Sequence, residues 1–195
     1  MDNPSFYVKI VIGGYMRVIS GKFKGRVIKG FDINGTRPTM DRVKESIFSS
    51  IQNYISDAVV LDLFAGSGNL GIEALSNGAS KCYFVDNNKI AINVIKDNIN
   101  NCKIDNAIVI LDDYMGALSY LKNNDIKLDL VFLDPPYKFN YIDKIINYML
   151  NNDLLNDKSL IICEFENDIN KDYGNLEIYK EKKYGQKKVI IFKKI

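Results

Sequence analysis

Two stretches of the chain carry residues whose types and spacing suit chemistry on a bound ligand. In the first, Phe64-Ala65-Gly66-Ser67-Gly68-Asn69-Leu70-Gly71 follows an apolar run at 58–63. Its Gly66, Gly68 and Gly71 have the GxGxxG spacing, which lets backbone N–H groups approach a ligand at a helix N-terminus, where polar or negative groups are favoured. Asp86 ends the next apolar run, 20 residues after Gly66, and an acid there can accept both hydroxyls of a ribose. Dinucleotide folds share this spacing, and so does a turn that only packs a strand against a helix. Asp62, near the end of the first run, can hold an ammonium group. S-adenosylmethionine has a primary amine to place there and nicotinamide dinucleotides do not, so Asp62 favours the former.

The second stretch is Val131-Phe132-Leu133-Asp134-Pro135-Pro136-Tyr137. Each proline fixes its own φ and pushes the residue before it out of the helical region, which makes a rigid turn after an apolar strand. Ligands of open α/β sheets bind along the carboxyl edge where such a turn lies. The exocyclic amine of a base is a poor nucleophile because its lone pair is delocalised into the ring. Two acceptors on its N–H bonds, the Asp134 carboxylate and the Pro135 carbonyl, favour the pyramidal, nucleophilic form. Tyr137 can stack on a base taken out of its normal position. No strong base is required, since the amine becomes acidic only after transfer.

The elements that must position these groups follow from periodicity. From residue 58 onward, strand-like runs at 58–63, 81–85, 107–111, 128–133 and 159–163 alternate with helical patterns at 69–77, 88–100 and 140–151. This alternation predicts an α/β fold with a mainly parallel sheet. Ile92, Ile95 and Ile99 share one helix face; Ile142, Ile145, Ile146, Met149 and Leu150 share another. Residues 176–182 and 187–192, around Tyr184-Gly185, predict an antiparallel hairpin whose lysines discourage edge pairing. A second hairpin is expected over 16–31, turning near Gly21 and Gly25. After the loop 34–38, Thr39 is expected to cap a helix carrying Val43, Ile47, Ile51 and Ile55. The expected organisation is an extension at 1–15, a basic hairpin, loop and helix at 16–57, and a ligand-binding core at 58–195.

Composition narrows the chemistry. At 195 residues, 47% apolar, 26% charged and with 4 Pro, the chain fits one folded domain and neither a disordered nor a collagen-like one. It contains no His, which removes imidazole bases and ligands and with them Ser-His-Asp triads and the common zinc hydrolase sites. Cys82, Cys102 and Cys163 form no CxxC pair and are expected to be small apolar fillers, with no metal site. No run is long enough to cross a membrane, and residues 1–15 lack the pattern of a signal peptide, so a cytoplasmic location is expected.

Charge is distributed unevenly. Residues 16–45 carry eight Lys or Arg against three acids, as do residues 171–195, while the centre is acidic. All four Arg of the chain, Arg17, Arg26, Arg37 and Arg42, lie in the first of these segments, although Lys is accepted widely elsewhere. Arginine concentrated in this way suits bidentate recognition of phosphate or base edges, which Lys cannot supply. Surface ion pairing is the alternative.

The segments DLFAGSGNLGIEAL and VFLDPPY resemble the class I S-adenosylmethionine-dependent methyltransferases of base amino groups, which have a Rossmann-like fold. Residues 16–192 resemble, more narrowly, the bacterial RsmD family, which methylates N2 of a guanine in small-subunit (16S) ribosomal RNA. MRVISGKFKGR, RPTMDRVKESIF, the two core motifs and KKYGQKKVIIF match in that order. The resemblance implies that Asp62, Phe64, Gly66, Ser67 and Gly68 hold the methionine part of S-adenosylmethionine, Asp86 its ribose, and Asp113 or neighbouring Asp112 its adenine amine. It implies that Asp134, Pro135, Pro136 and Tyr137 form the catalytic turn, and that Arg17, Lys22, Lys24, Arg26, Arg37 and Arg42 grip RNA phosphates. The implied substrate is rRNA in assembling small subunits. Residues 1–15 have no counterpart in the family pattern and are expected to be dispensable for activity. A monomer is expected.

Two other functions remain in view. An adenine-N6 or cytosine-N4 DNA methyltransferase uses the same Asp-Pro-Pro-Tyr logic, but sequence-specific DNA enzymes need more recognition surface than the roughly 40 residues outside the core provide. A catalytically idle rRNA-binding assembly factor would not need the full set of cofactor groups. An NAD-dependent enzyme lacks any feature for a hydride acceptor.

Overall fold

A computed structural model describes residues 13–30, 38–135, 141–166 and 168–195. The expected alternation becomes nine strands and five α-helices among these residues. A hairpin of β1 (Gly13–Arg17) and β2 (Val27–Gly30) precedes α1 (Pro38–Ile51). Then follow β3 (Val59–Asp62), α2 (Asn69–Ser76), β4 (Lys81–Asp86), α3 (Lys89–Cys102), β5 (Ala107–Leu111), α4 (Tyr114–Asn123) and β6 (Leu128–Leu133). The chain ends with α5 (Tyr141–Asn151), β7 (Leu155–Phe165), β8 (Leu176–Tyr184) and β9 (Lys187–Lys194).

The seven later strands form one sheet in the order β5-β4-β3-β6-β7-β9-β8. Pairings among β3 to β7 are parallel, and β9 runs antiparallel to both β7 and β8. From β3 the chain winds outward to β4 and β5, then returns to lay β6 on the other side. The carboxyl ends of β3 and β6 therefore flank the point where winding reverses, which is where open α/β sheets open a ligand crevice. Asp62 is paired in register with Phe132, two residues before Asp134.

Alternating strand residues bury two faces. Val60, Phe84, Phe132 and Ile191 face a cluster shared with α1, α2 and α3, while Leu61, Val85, Val131 and Phe192 face one shared with α4 and α5. Phe48 of α1 stacks on Phe132, with ring centroids 5.7 Å apart. Burying a side chain of this size contributes about 1.5–3 kcal/mol. Met16, Val18, Phe23 and Ile28 of the hairpin region join the first cluster with Val43, Ile47 and Ile51 of α1, so the described residues of this segment pack into the same core as the sheet.

Three expectations are adjusted. The helix placed after Thr39 begins at Pro38, because proline suits the first helical position, where its missing N–H costs nothing; Thr39 lies inside the first turn and does not precede it. Strand β1 starts at Gly13, with Gly13 opposite Gly30, so the hairpin takes the last three residues of the segment set apart as 1–15. Helix α4 was not anticipated. All three cysteines are buried and free, as expected. No helix among the described residues is long and apolar enough to cross a membrane.

Candidate active site

The glycine loop joins the end of β3 to α2 and is fastened by carboxylates from two strand ends. Asp62 is only 3% exposed, and its Oδ2 accepts the Gly71 N–H at 2.9 Å. Burial pushes its carboxyl up to about 7, and the charge of Asp86 adds to this against the pull of the Gly71 hydrogen bond. A buried carboxyl that gains a proton so readily is one that a fixed cation would stabilise. Asp86, half-buried at the end of β4, accepts the Gly66 N–H at 2.9 Å through Oδ2 and the Asn88 N–H at 2.8 Å through Oδ1. The ribose acceptor expected from spacing thus also shapes the loop. A Cβ on Gly71 would stand 2.3 Å from Phe84 Cε1 and 2.7 Å from Cys82 Sγ, so the third glycine lets α2 lie directly on β4.

Asp134 follows β6 and is half-buried, with Pro135 buried behind it. Burial is the main cause that raises its carboxyl to about 7; Glu164, Asp62 and Glu166 raise it further, and Lys187 opposes them. Glu164 is in β7 and ion-pairs with Lys187 at the start of β9. Leu133 pairs with Cys163 and Glu164 with Val189 in register, so that pair stands beside Asp134 on the same sheet edge. Pro136 and Tyr137 lie outside the described residues.

Asp113 occupies the N-cap of α4, its Oδ1 accepting the N–H groups of Met115 and Gly116 at 2.8 and 2.9 Å. Asp112 Oδ1 accepts the Asp113 N–H at 2.8 Å. Both are exposed beyond the end of β5. Phe64 sits 6.3 Å from Tyr114 and 6.2 Å from Tyr141 between ring centroids, and the two tyrosines are 4.8 Å apart. Sequence reasoning did not single out these tyrosines. The fold brings one from α4 and one from α5 to the residue that opens the glycine loop.

Arg17, Lys22, Lys24, Arg26 and Arg42 are exposed; Arg37 lies outside the described residues. Arg17 donates to the Gly25 carbonyl across the hairpin at 3.3 Å, and Arg26 to the Asn101 carbonyl at 2.8 Å. Two buried polar bridges tie this basic hairpin to the glycine loop. Asn98 of α3 accepts from the Lys29 N–H and donates to the carbonyls of Lys29 and Ser67, each at 2.9 Å. Lys44 of α1 donates to the Arg17 carbonyl and to Asn69 Oδ1, both at 2.8 Å, and pairs with Glu73 at 2.9 Å. Both residues carried a signal in the sequence, since each is polar on a helix face otherwise turned to the core. Among the described residues, no group of three or more Cys, Asp or Glu could hold a metal ion.

Residues 16–193 match the family described as conserved hypothetical protein 95. The chain belongs to this family, the RsmD family. It is similar to the ribosomal RNA small subunit methyltransferase D of Haemophilus influenzae, 40% identical over 159 residues that cover 80% of this chain and 81% of that one. The Escherichia coli protein of the same name is 35% identical over 175 residues, covering 89% and 87% of the two chains. A solved Escherichia coli chain superposes with a TM-score of 0.82 at 31% identity, covering 93% of this chain and 98% of that one. The RsmD family fold, a Rossmann-like class I methyltransferase fold with an antiparallel C-terminal hairpin, is the architecture expected from the alternation.

Proposed function

We propose that this chain methylates rRNA of the small ribosomal subunit, at the exocyclic N2 amine of a guanine, in subunits still assembling in the cytoplasm. The observation that carries this is the placement of Asp134 and Pro135 at the end of β6, across the winding reversal from Asp62 and the glycine loop. Family members named as small-subunit rRNA methyltransferases support the substrate class.

The donor set suits S-adenosylmethionine, because a buried carboxyl, a second acid 20 residues past the first loop glycine and a loop of backbone N–H groups answer a ligand with an ammonium, a ribose and a carboxylate. When bound, this cofactor supplies an electrophilic methyl group on a sulfonium sulfur. Asp62, Phe64, Gly66, Ser67 and Gly68 would hold its methionine part, Asp86 its ribose and Asp113 its adenine amine. Tyr137 stacks on the target base, and Pro136 keeps the turn rigid. The Asp134 carboxylate and the Pro135 carbonyl accept the two N–H bonds of the amine and turn its lone pair out of conjugation. The bound cofactor would supply the methyl group to the nitrogen held by these two acceptors, with its sulfonium sulfur as the leaving group. The proton that the nitrogen then sheds passes to Asp134, whose raised proton affinity suits the task, and from there to water. Arg17, Lys22, Lys24, Arg26, Arg37 and Arg42 hold RNA phosphates, and the chain acts as a monomer.

Methyl transfer from labelled S-adenosylmethionine to unmodified small subunits, naked small-subunit rRNA and duplex DNA tests the substrate class. Label in the subunits is expected. Label in DNA would favour a DNA methyltransferase, and label in none of the three would favour an idle assembly factor.

A further inference from the structure

The lysines of the C-terminal hairpin whose partners are defined fall into two groups. Lys187, Lys188, Lys193 and Lys194 are each ion-paired, to Glu164, Asp168, Glu177 and Asp157. Lys180 and Lys182 of β8 have no carboxylate within ion-pair distance among the described residues. They reach over α1, where Lys180 Nζ donates to Ser50 Oγ at 2.7 Å and Lys182 Nζ to Ser46 Oγ at 2.9 Å. These four side chains, with Tyr184 and apolar groups of α1 and β9 beneath, line a shallow groove between the helix and the sheet edge.

Protection of an edge strand explains why β8 carries lysines. It does not explain why two of them are fixed side by side over neutral hydroxyls. A hydroxyl satisfies one of the three donors of an ammonium and none of its charge. Each head group is thus held in place with donors and charge to spare, which suits a phosphodiester oxygen.

The register shows where the groove leads. Lys180 is opposite Ile191 and Lys182 opposite Val189, which in turn face Ile162 and Glu164. Moving from Lys180 to Lys182 therefore climbs toward the edge that carries Asp134, and moving from Ser50 to Ser46 climbs α1 in the same direction. One further turn of α1 reaches exposed Arg42. The cations form a stripe that ends at the catalytic edge, on the side of α1 away from the basic hairpin.

We infer that Lys180 and Lys182, set over Ser46 and Ser50, form a phosphodiester-binding groove that holds an RNA strand flanking the target nucleotide. The inference rests on the proposed rRNA methyltransferase function and extends the RNA-binding surface from α1 onto lysines of the C-terminal hairpin.

The test compares the full-length chain with the Lys180→Met/Lys182→Met double variant for binding to unmodified small subunits over a range of salt. Each phosphate that a lysine neutralises releases counterions, and that release sets the salt dependence of binding. The double variant should bind about tenfold more weakly, and its plot of log affinity against log salt should be shallower by about 1.4 for two single-strand phosphates. Its melting temperature and S-adenosylmethionine affinity should match those of the parent. Unchanged affinity and slope would overturn the groove while leaving the proposed function standing. Weaker binding with an unchanged slope and a lower melting temperature would also overturn it, by assigning the lysines to folding. A parent chain that shows no salt-dependent binding to subunits would overturn both readings.

Discussion

Lys44 Nζ lies 2.9 Å from Glu73 Oε2, and the two side chains are 2% and 0% exposed. Glu73 also accepts the N–H groups of Ile19 and Ser20 and the Ser20 hydroxyl at 2.9–3.1 Å. One ion pair therefore joins three pieces of chain: the end of the basic hairpin, α1, and the helix that follows the glycine loop. Two charges removed from water repay that cost only when their remaining hydrogen-bonding groups are satisfied, and here the backbone of residues 17–20 and Asn69 satisfy them.

Removing one partner strands the other. Lys44→Met should destabilise the chain by about 3–5 kcal/mol, which in a domain of this size lowers the melting temperature by about 10 °C or more. Because Lys44 also holds Asn69 at the start of α2, S-adenosylmethionine affinity measured well below the melting point should fall as well. Calorimetry and cofactor titration on the same preparation check both.

The acids of the crevice make the ligand-free chain and the cofactor respond oppositely to pH. The carboxyls of Asp62 and Asp134 are raised from 3.8 to about 7, so between those values the folded chain holds protons that the unfolded chain has released. Their contribution to stability is full below about pH 4 and is lost as pH rises through 7. In the proposed seating the ammonium of the cofactor needs Asp62 ionised, so cofactor affinity should rise over the same interval. Urea unfolding at pH 5 and 8 should show a smaller loss of stability in Asp62→Asn than in the parent, and isothermal titration should show proton release on cofactor binding below pH 7.

Catalysis should depend on the pair beside Asp134. Lys187 lowers the Asp134 carboxyl and Glu164 raises it, and the acid limb of the rate profile reports that group. Lys187→Met should move the limb to higher pH and Glu164→Gln to lower pH, in single-turnover rates with saturating cofactor. Shifts in the same direction would contradict the arrangement.

Gly71 tests the seating of the helix after the loop. Gly71→Ala drives a methyl into Phe84 and Cys82, and overpacking of this kind costs about 1–3 kcal/mol. The displaced α2 would take the Gly71 N–H away from Asp62, so cofactor affinity should drop further than stability alone requires. Cofactor titration of the folded variant checks this.

Apolar strand-like runs alternating with helical patterns made β3 to β6, α2, α3 and α5 legible in the sequence, and the turn at Tyr184-Gly185 made the last hairpin legible. Helix α4 was not, because Gly116 lies in its first turn and only Ala117, Leu118 and Leu121 mark its buried face. Its start was nonetheless written in Asp113, whose carboxylate caps the helix. Motif spacing placed Asp62, Asp86 and Asp134 on one sheet edge. Lys44 and Asn98 stand out as polar residues on core-facing helix faces, but the partners of Lys44, Glu73 and Asn98 were hidden for a physical reason. Each needs a partner 25 to 69 residues away, and no local period encodes an interaction of that span.

The identity of the methylated nucleoside tests the central claim most directly. Small subunits treated with the parent chain and with Asp134→Ala should be digested to nucleosides and examined by mass spectrometry, after a titration showing that the variant still binds S-adenosylmethionine. The account predicts N2-methylguanosine from the parent and at most a trace from the variant. N6-methyladenosine from the parent, or an undiminished yield from the variant, would contradict it.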